Sequence, residues 1–427
     1  MLRVRSGERG SAWRCVLLLV LAVAALAGPL SCGGGSAGPP TVSFYIFHEP
    51  SGAFERGAER CSRLSNGRYH IRISELPSTA DGQRQQLVRR LAASDPSIDI
   101  LGMDVVWTAE FAEAGWLRSV PAGLREAVSR GTLGPALRTA TWRGTLQALP
   151  YNTNTQLLWY RRDLVPSPPA TWAQMIDMGT RLEEQGRPGR VEIQGAQYEA
   201  LTVWFNSLVA SAGGRILDDA GRSALDHTAT EAAEVMRLLA RSPAADPSLS
   251  NQHEDDNRLA FETGRAAFEL NYPFIYPSAR TNAPELFRNL AWALYPSMVA
   301  GRPSHVTIGG INLGVSAFSP HPDVAFAAAL CLRDADNQRF AAVHGGLPPT
   351  LSALYDDPDL RREYPFADTI REALATASVR PLTPAYTNVS LEIQSALAPP
   401  SGIQPQRILG DLRTSIGNAL NSQGLVP

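Results

Sequence analysis

Leu149–Leu164 reads Leu-Pro-Tyr-Asn-Thr-Asn-Thr-Gln-Leu-Leu-Trp-Tyr-Arg-Arg-Asp-Leu, and no other stretch restricts the fold as much. A polar run, Asn152–Gln156, is joined without a spacer to Leu157–Tyr160, an aliphatic-aromatic run that reads as a buried strand. Then Pro-rich residues 165–170 lead to Thr171-Trp172, a helix start. A polar segment fused to a buried strand suits a chain that passes from one lobe to another and exposes amides in the cleft between them. Short buried strands alternate with helical patterns on both sides of it. Upstream come a strand over Val42–Phe47, a helix from Gly52 to Leu64, a strand over Tyr69–Ile73, a helix over Asp81–Ala93 and a strand over Ile98–Met103. Downstream come helices over Thr171–Glu184, Ala200–Ala212 and Thr228–Ala240 and a strand over Ala266–Leu270. Such alternation implies α/β lobes with mostly parallel sheets, whose ligands bind at the C-terminal ends of strands. Those ends present His48, Glu49, Asp104 and residues 152–156. Val306–Val315 reads as strand, Gly-rich bend, strand; residues 275–304 are Pro-rich with little periodicity.

Residues 1–14 carry four arginines and Val16–Ala27 is an unbroken apolar run, about half the ~20 residues a membrane-spanning helix needs. This is the pattern of a signal peptide, expected over 1–31. Leu30-Ser31-Cys32 resembles a bacterial lipobox, which makes Cys32 the candidate lipidation site and 32–40 a Gly-rich tether. Two acyl chains suffice for stable membrane attachment. Gly34–Gly38 satisfies G-x-S-x-G, but with no strand before it and no helix after it the match carries no chemistry. With Cys15 in the leader and Cys32 at the anchor, Cys61 and Cys331 remain, about 270 residues apart. An exported chain keeps disulfides, and a Cys61–Cys331 bridge is expected; two buried thiols are the alternative.

The formal net charge is −2, with no basic block, which argues against nucleic acid as a partner. His253-Glu254 lacks the second histidine of a zinc helix. No Walker loop is present, nor a G-x-G-x-x-G after a strand. No cofactor or metal is expected.

Phe261-Glu-Thr-Gly-Arg-Ala-Ala267 resembles the F-x-x-G-(K/R)-A-A segment of the extracellular solute-binding proteins of ABC importers, sugar-binding group. Leu157–Leu164 is similar to their interlobe strand, and Gly345-Gly-Leu-Pro348 to their G-x-x-P turn. Longer runs resemble the trehalose-binding lipoproteins of mycobacteria and their relatives: Asp104–Trp116, Thr153–Tyr160, Val203–Asn206, Val306–Leu313 and Val379–Tyr386. Two departures are a shorter 275–304 and Tyr272, where those proteins commonly have Trp. The resemblance implies a two-lobed periplasmic-binding-protein fold, its hinged lobes each built on a mixed, mostly parallel sheet flanked by helices. The N-terminal lobe is expected over 41–152 plus 306–350, the C-terminal lobe over 153–305 plus 351–427. It also implies a monomeric, non-enzymatic receptor on the outer face of the membrane. That receptor would pass trehalose or a close disaccharide to permease subunits with a cytoplasmic ATPase.

Residue by residue, the resemblance assigns ligand contacts to Asp104, Asn154, Glu254, Tyr272, Gly310 and Arg380, with Gln83, Glu49 and Trp204 as further candidates. Strand alternation puts Asn152 on the side of Asn154. Planar polar side chains can each engage two adjacent sugar hydroxyls, and aromatic faces cover the C–H patches. Structural alternatives stand beside these roles: Asp104 as a helix cap, Arg380 as a surface ion pair, Tyr272 and Trp204 as packing, Glu254 as a solvated loop acid. Gly310 would admit backbone close to the sugar. Carboxylates facing across a cleft, such as Asp104 and Glu254, are also what a glycosidase uses.

Overall fold

The structure is a computed structural model and describes residues 38–421. The expected signal peptide, Cys32 and most of the tether therefore lie outside the described residues.

Two sheets organise the chain. In the first, the order is His70–Leu76, Thr41–Phe47, Ile100–Asp104, Gly309–Ser316, with both Leu117–Arg118 and Ala148–Asn154 also paired to Gly309–Ser316. Val42–Ile46 and Ile100–Met103 are buried without a polar-out alternation, as strands covered on both faces must be. The second sheet runs Leu290–Ala293, Leu157–Arg161, Ala266–Asn271, Arg190–Glu192. Each sheet has a single reversed strand: Gly309–Ser316 in the first and Leu157–Arg161 in the second. Both are the strands that follow a passage between lobes. The other strands end at the cleft, so a chain arriving across the cleft starts there and has to run the opposite way.

The first passage is Thr155–Gln156, after Ala148–Asn154 has paired with Gly309–Ser316 along its whole length. The amide Nε2 of Gln156 donates to Gln194 Oε1 in the second lobe at 2.5 Å. The return passage lies between Ile308 and Gly309: Val306 and Ile308 are buried in the second lobe's core, and Thr307 bridges Ser378. The stretch read as strand, bend, strand is thus an anchor in one lobe followed by a strand of the other. A third passage, residues 346–351, runs beside the first, where the Thr153 amide donates to the Pro348 carbonyl at 2.8 Å. The first two fall two or three residues after the expected boundaries at 152/153 and 305/306, and the third takes in the expected one at 350/351. Arg333, buried, fastens the region by donating from Nε to the Pro150 carbonyl at 3.0 Å and from Nη2 to Thr132 Oγ1 at 2.8 Å.

Helices Ala53–Leu64 and Pro322–Leu332 pack together in the first lobe and carry the Cys61–Cys331 disulfide, with Cα atoms 5.8 Å apart. The second lobe is closed by Trp172–Glu184, Glu199–Ser211, His227–Arg241, Tyr386–Leu397 and Pro405–Leu420. Residues 275–304 contain two short helices, Ile275–Asn282 and Pro284–Phe287, and the edge strand Leu290–Ala293. Pro277 and Pro284 punctuate this segment and hide its periodicity. Among the described residues no helix is long and apolar enough to cross a membrane, and no group of metal-ligating side chains is assembled.

Candidate functional site

Asp104 is the last residue of its strand, at the cleft edge of the first lobe, and its Oδ1 accepts from the Val106 amide at 3.1 Å. The capping role and the site role coincide, because the same oxygen lies 3.0 Å from Nη2 of Arg380. Arg380 belongs to the second lobe. Its Nη1 lies 2.5 Å from Glu199 Oε1, at the start of helix Glu199–Ser211, and its side chain is only 3% exposed. Glu199 is further held by hydroxyls from helix Tyr386–Leu397: Ser390 Oγ donates at 2.6 Å, and Tyr386 also donates to it. Arg380 therefore bridges the lobes through one carboxylate from each, and it is no surface ion pair.

Burial pushes the Glu199 carboxyl above its usual range, opposed by the Arg380 guanidinium and by the hydroxyls of Ser390 and Tyr386. Burial alone would lower the Arg380 pKa; Asp104, Tyr386 and Glu199 together hold it well above its ordinary value. The cavity beside this bridge, lined by Asp104, Trp107, Glu199, Tyr386 and Arg84 among others, measures about 20 Å³. In this conformation the lobes are shut around it.

A second group adjoins the bridge. Glu254 opens helix Glu254–Glu262 and accepts from the Tyr198 hydroxyl at 2.7 Å. Burial raises the Glu254 carboxyl, opposed mainly by that hydrogen bond. Tyr272, half-buried, is also pushed up by burial, then by Glu254, with Arg380 opposing and Asp104 and Glu199 adding. The Tyr272 phenol thus lies within electrostatic reach of both groups, and we group Asp104, Glu254, Tyr272 and Arg380 as one candidate constellation. Asn154 joins it. A Cβ placed on Gly309 would lie 3.5 Å from Asn154 Cβ and 3.9 Å from Arg380 Nη2, and Asn154 Oδ1 has no partner.

The remaining candidates sit elsewhere. Asn152 is buried and donates from Nδ2 to the Thr153 carbonyl, so the two asparagines differ despite strand alternation. Their spacing along the strand is regular, since the register shift in the pairing with Gly309–Ser316 falls on the other side of Asn152, towards Pro150. Gly310 has φ +125°, and a side chain there would collide with the Asn152 carbonyl and approach Thr153 Cα to 2.8 Å. Its glycine is required by the neighbouring strand, a reason independent of any ligand. Glu49 caps helix Ala53–Leu64 through the Ser51 and Ala53 amides, at 3.0 and 3.3 Å. Gln83 donates to the Ser78 carbonyl at 3.3 Å and does not line the cavity, whereas its neighbour Arg84 does. Trp204 is 1% exposed and stacks on Trp172, with centroids 5.8 Å apart: it is core.

Glu199, Tyr198, Tyr386 and Ser390 were not singled out by sequence. Glu199 reads as an acid at a helix N-terminus, which the helix dipole alone explains. Gly346 marks the other rim of the cleft. It ends helix Ala335–Gly345 with φ +65°, and a Cβ there would sit 2.7 Å from Phe274 Cα in the second lobe.

The model of the bacterial extracellular solute-binding protein family matches residues 70–339. A probable ABC transporter-binding protein of Deinococcus radiodurans is 26% identical over 347 residues, 77% of this chain and 80% of its own length. The mannitol-binding protein of Pseudomonas aeruginosa is 24% identical over 194 residues, 43% of this chain and 44% of that protein. Among solved structures, maltose-bound MalE3 of T. maritima superposes with TM-score 0.81 at 24% identity, covering 88% of this chain and 98% of that one. The GacH receptor of Streptomyces glaucescens superposes with TM-score 0.78 at 20% identity, covering 90% and 99%. These superpositions establish the two-lobed periplasmic-binding-protein fold.

Proposed function

This chain belongs to the bacterial extracellular solute-binding proteins, and we propose that it is the sugar receptor of an ABC importer, taking trehalose or a close disaccharide between its lobes. Its family binds solutes rather than transforming them. Asp104 is moreover committed to a cap and an ion pair, which disfavours the glycosidase reading.

The observation that carries the proposal is the cross-cleft bridge Asp104–Arg380–Glu199 beside Tyr272 and Glu254. Charged, planar groups from both lobes converge there with phenols, the mixture a ring of hydroxyls and C–H patches calls for. Arg380 joins carboxylates of the two lobes directly, so the lobes part on their three passages to admit a disaccharide, as hinged domains do. On closure the sugar's hydroxyls take up donors and acceptors of the bridge, Asn154 and Glu254. Micromolar affinity, about −8 kcal/mol, is within reach of a few such bonds and a covering aromatic. Delivery would be to permease subunits with a cytoplasmic ATPase, from the outer face of the membrane, with Cys32 as the anchor. Membrane association that persists in Cys32→Ala would remove that anchor.

Tyr272 and the short 275–304 segment favour a second reading, in which the preferred sugar is not trehalose. Maltose, glycerol-phosphate-type solutes and oligosaccharides are the competitors. Calorimetric titration with trehalose, maltose and sucrose decides between the readings. Heat with trehalose at micromolar affinity is expected; no heat with trehalose and clear heat with another sugar overturns the first reading. Release of glucose from any of the three would overturn the receptor assignment itself.

A further inference from the structure

Behind the cleft, in the second sheet, two glutamates are paired where no solvent reaches. Glu192 and Glu269 are register partners on adjacent parallel strands, and both are fully buried. Each uses one carboxyl oxygen. Gln252 Nε2 donates to Glu192 Oε2 at 2.7 Å, and Asn271 Nδ2 donates to Glu269 Oε1 at 2.7 Å. The other oxygen of each, Glu192 Oε1 and Glu269 Oε2, is buried without a partner. Two adjacent carboxylates cannot both stay ionised in such a place. A single proton held between the two orphan oxygens would remove the repulsion and satisfy both atoms at once.

Among the described residues, the guanidiniums that act on the pair, Arg190 on Glu192 and Arg258 on Glu269, are already bound to other carboxylates. Arg258, on helix Glu254–Glu262, is taken by Glu262 at 2.8 Å and Asp255 at 2.9 Å. On the opposite side Arg190 is taken by Asp246 at 2.9 Å. Trp159, the partner of Glu269 on its other flank, is uncharged.

The pair is wired to the cleft through one residue. Asn271 is also fully buried, and beyond its strand pairing it takes part in four hydrogen bonds. Its Nδ2 donates both to Glu269 and, at 3.0 Å, to the Glu254 carbonyl. Its Oδ1 accepts from the Tyr272 amide at 2.8 Å, and its carbonyl accepts from Trp159 Nε1 at 2.9 Å. Two of these four bonds end on the residues that face the solute.

We propose that Glu192 and Glu269 share one proton and, through Asn271, act as positioning residues for Glu254 and Tyr272, so that solute affinity depends on that proton. The link to affinity rests on the reading of Glu254 and Tyr272 as solute contacts; the shared proton does not. Burial, then the nearby Asp246, pushes Glu192 up to about 7, opposed by Gln252 and Arg190. Burial pushes Glu269 well above the usual range, with Asn271 opposing and Glu192 and Glu262 adding. The folded pair thus keeps a proton that the unfolded chain has released. Stability must therefore fall as pH rises from the ordinary glutamate range through the pair's upper titration.

The test has two arms on the full chain, each with wild type, Glu192→Gln, Glu269→Gln and Asn271→Ala. The first is the pH dependence of thermal unfolding without solute, together with the infrared C=O band of a protonated carboxyl. Wild type should show the band and lose stability as pH rises from about 4.5 through about 7 and above, and either Gln variant should flatten that slope. The second is calorimetric affinity for trehalose over the same range. In wild type it should fall about tenfold, the equivalent of one pKa unit of coupling. The Gln variants should lose this pH dependence, and Asn271→Ala should bind weakly throughout. An unchanged slope in both Gln variants overturns the shared proton. A flattened slope with an unchanged affinity profile overturns the link to the cleft. If wild type binds none of the three disaccharides, the receptor reading fails in the second arm while the first still judges the pair.

Discussion

Arg380→Met offers the most direct measure of what the bridge between the lobes contributes. The substitution keeps most of the side chain's apolar volume and removes its charge. Arg380 is 3% exposed, while the carboxylates it joins, Asp104 and Glu199, are 26% and 21% exposed. Removing one partner of a buried ion pair costs about 3–5 kcal/mol, because the other charge is left behind. Both carboxylates here have some water, so the lower end, about 3 kcal/mol, is expected. For a lobe of this size that lowers the melting temperature by about 6–12 °C. The deficit should depend on pH in a defined direction. Burial already raises Glu199, and without the guanidinium it rises further. The folded variant then holds a proton that the unfolded chain releases. The variant's deficit is accordingly small at acid pH and grows as pH rises through the folded pKa. Solute affinity should fall by more, since each hydrogen bond to a charged group is worth about 1.5–3 kcal/mol, and losing two lowers affinity by about 10²–10⁴-fold. Arg380→Lys should recover only part of the melting temperature, because an ammonium cannot span two carboxylates as a guanidinium does. Scanning calorimetry at several pH values and titration with disaccharide read both quantities. An unchanged melting temperature at neutral pH together with an unchanged affinity would refute the reasoning.

Gly346→Ala carries a left-handed backbone penalty of about 1–2 kcal/mol and a Cβ 2.7 Å from Phe274 Cα in the shut state. Affinity should drop, the unfolding temperature should fall by about 2–8 °C from the backbone penalty, and small-angle scattering should show the lobes further apart with sugar present than in wild type. Cys61→Ser with Cys331→Ser opens a loop of 270 residues, for which the chain-entropy model sets an upper bound of about 5–6 kcal/mol. The double variant, or the reduced wild type, should melt earlier at unchanged affinity in the folded state. Trp204→Phe should cost about 1–3 kcal/mol of stability through lost contact with Trp172. Its disaccharide affinity should match wild type; a marked loss of binding would return Trp204 to the cleft.

Much of the fold is written in local signals. Thr79 and Thr171 cap their helices through side-chain oxygens, as their positions before helical runs imply. Leu157–Tyr160 is the buried strand its residue types demand. The Pro-rich 275–304 segment was not legible, because its helices are shorter than the window over which periodicity emerges and its strand is an edge. The constellation was legible in half. Asp104, Arg380, Glu254 and Tyr272 follow from the family resemblance, yet Glu199, the second carboxylate on Arg380, does not. It lies 181 positions before Arg380, and only tertiary packing brings the two together. Glu49, Asn152, Gly310 and Trp204 are each at the right strand end or helix. Each is engaged inside the protein in this conformation, through a cap, an internal amide, a strand contact and a core stack respectively.

The reversed strand Gly309–Ser316 bears on how such a chain survives its own synthesis. It sits between Ile100–Asp104 on one side and both Leu117–Arg118 and Ala148–Asn154 on the other. All three of its neighbours leave the ribosome, and any secretion channel, more than 150 residues ahead of it. Through that interval the growing polypeptide has to carry an open, strand-wide slot with unpaired amides on both walls, a template for any extended segment nearby. Truncation anywhere before Ser316 leaves the slot open permanently. Fragments that end within the second lobe should therefore be substrates for chaperones and proteases rather than half-receptors, and the two lobes have to be made as one polypeptide.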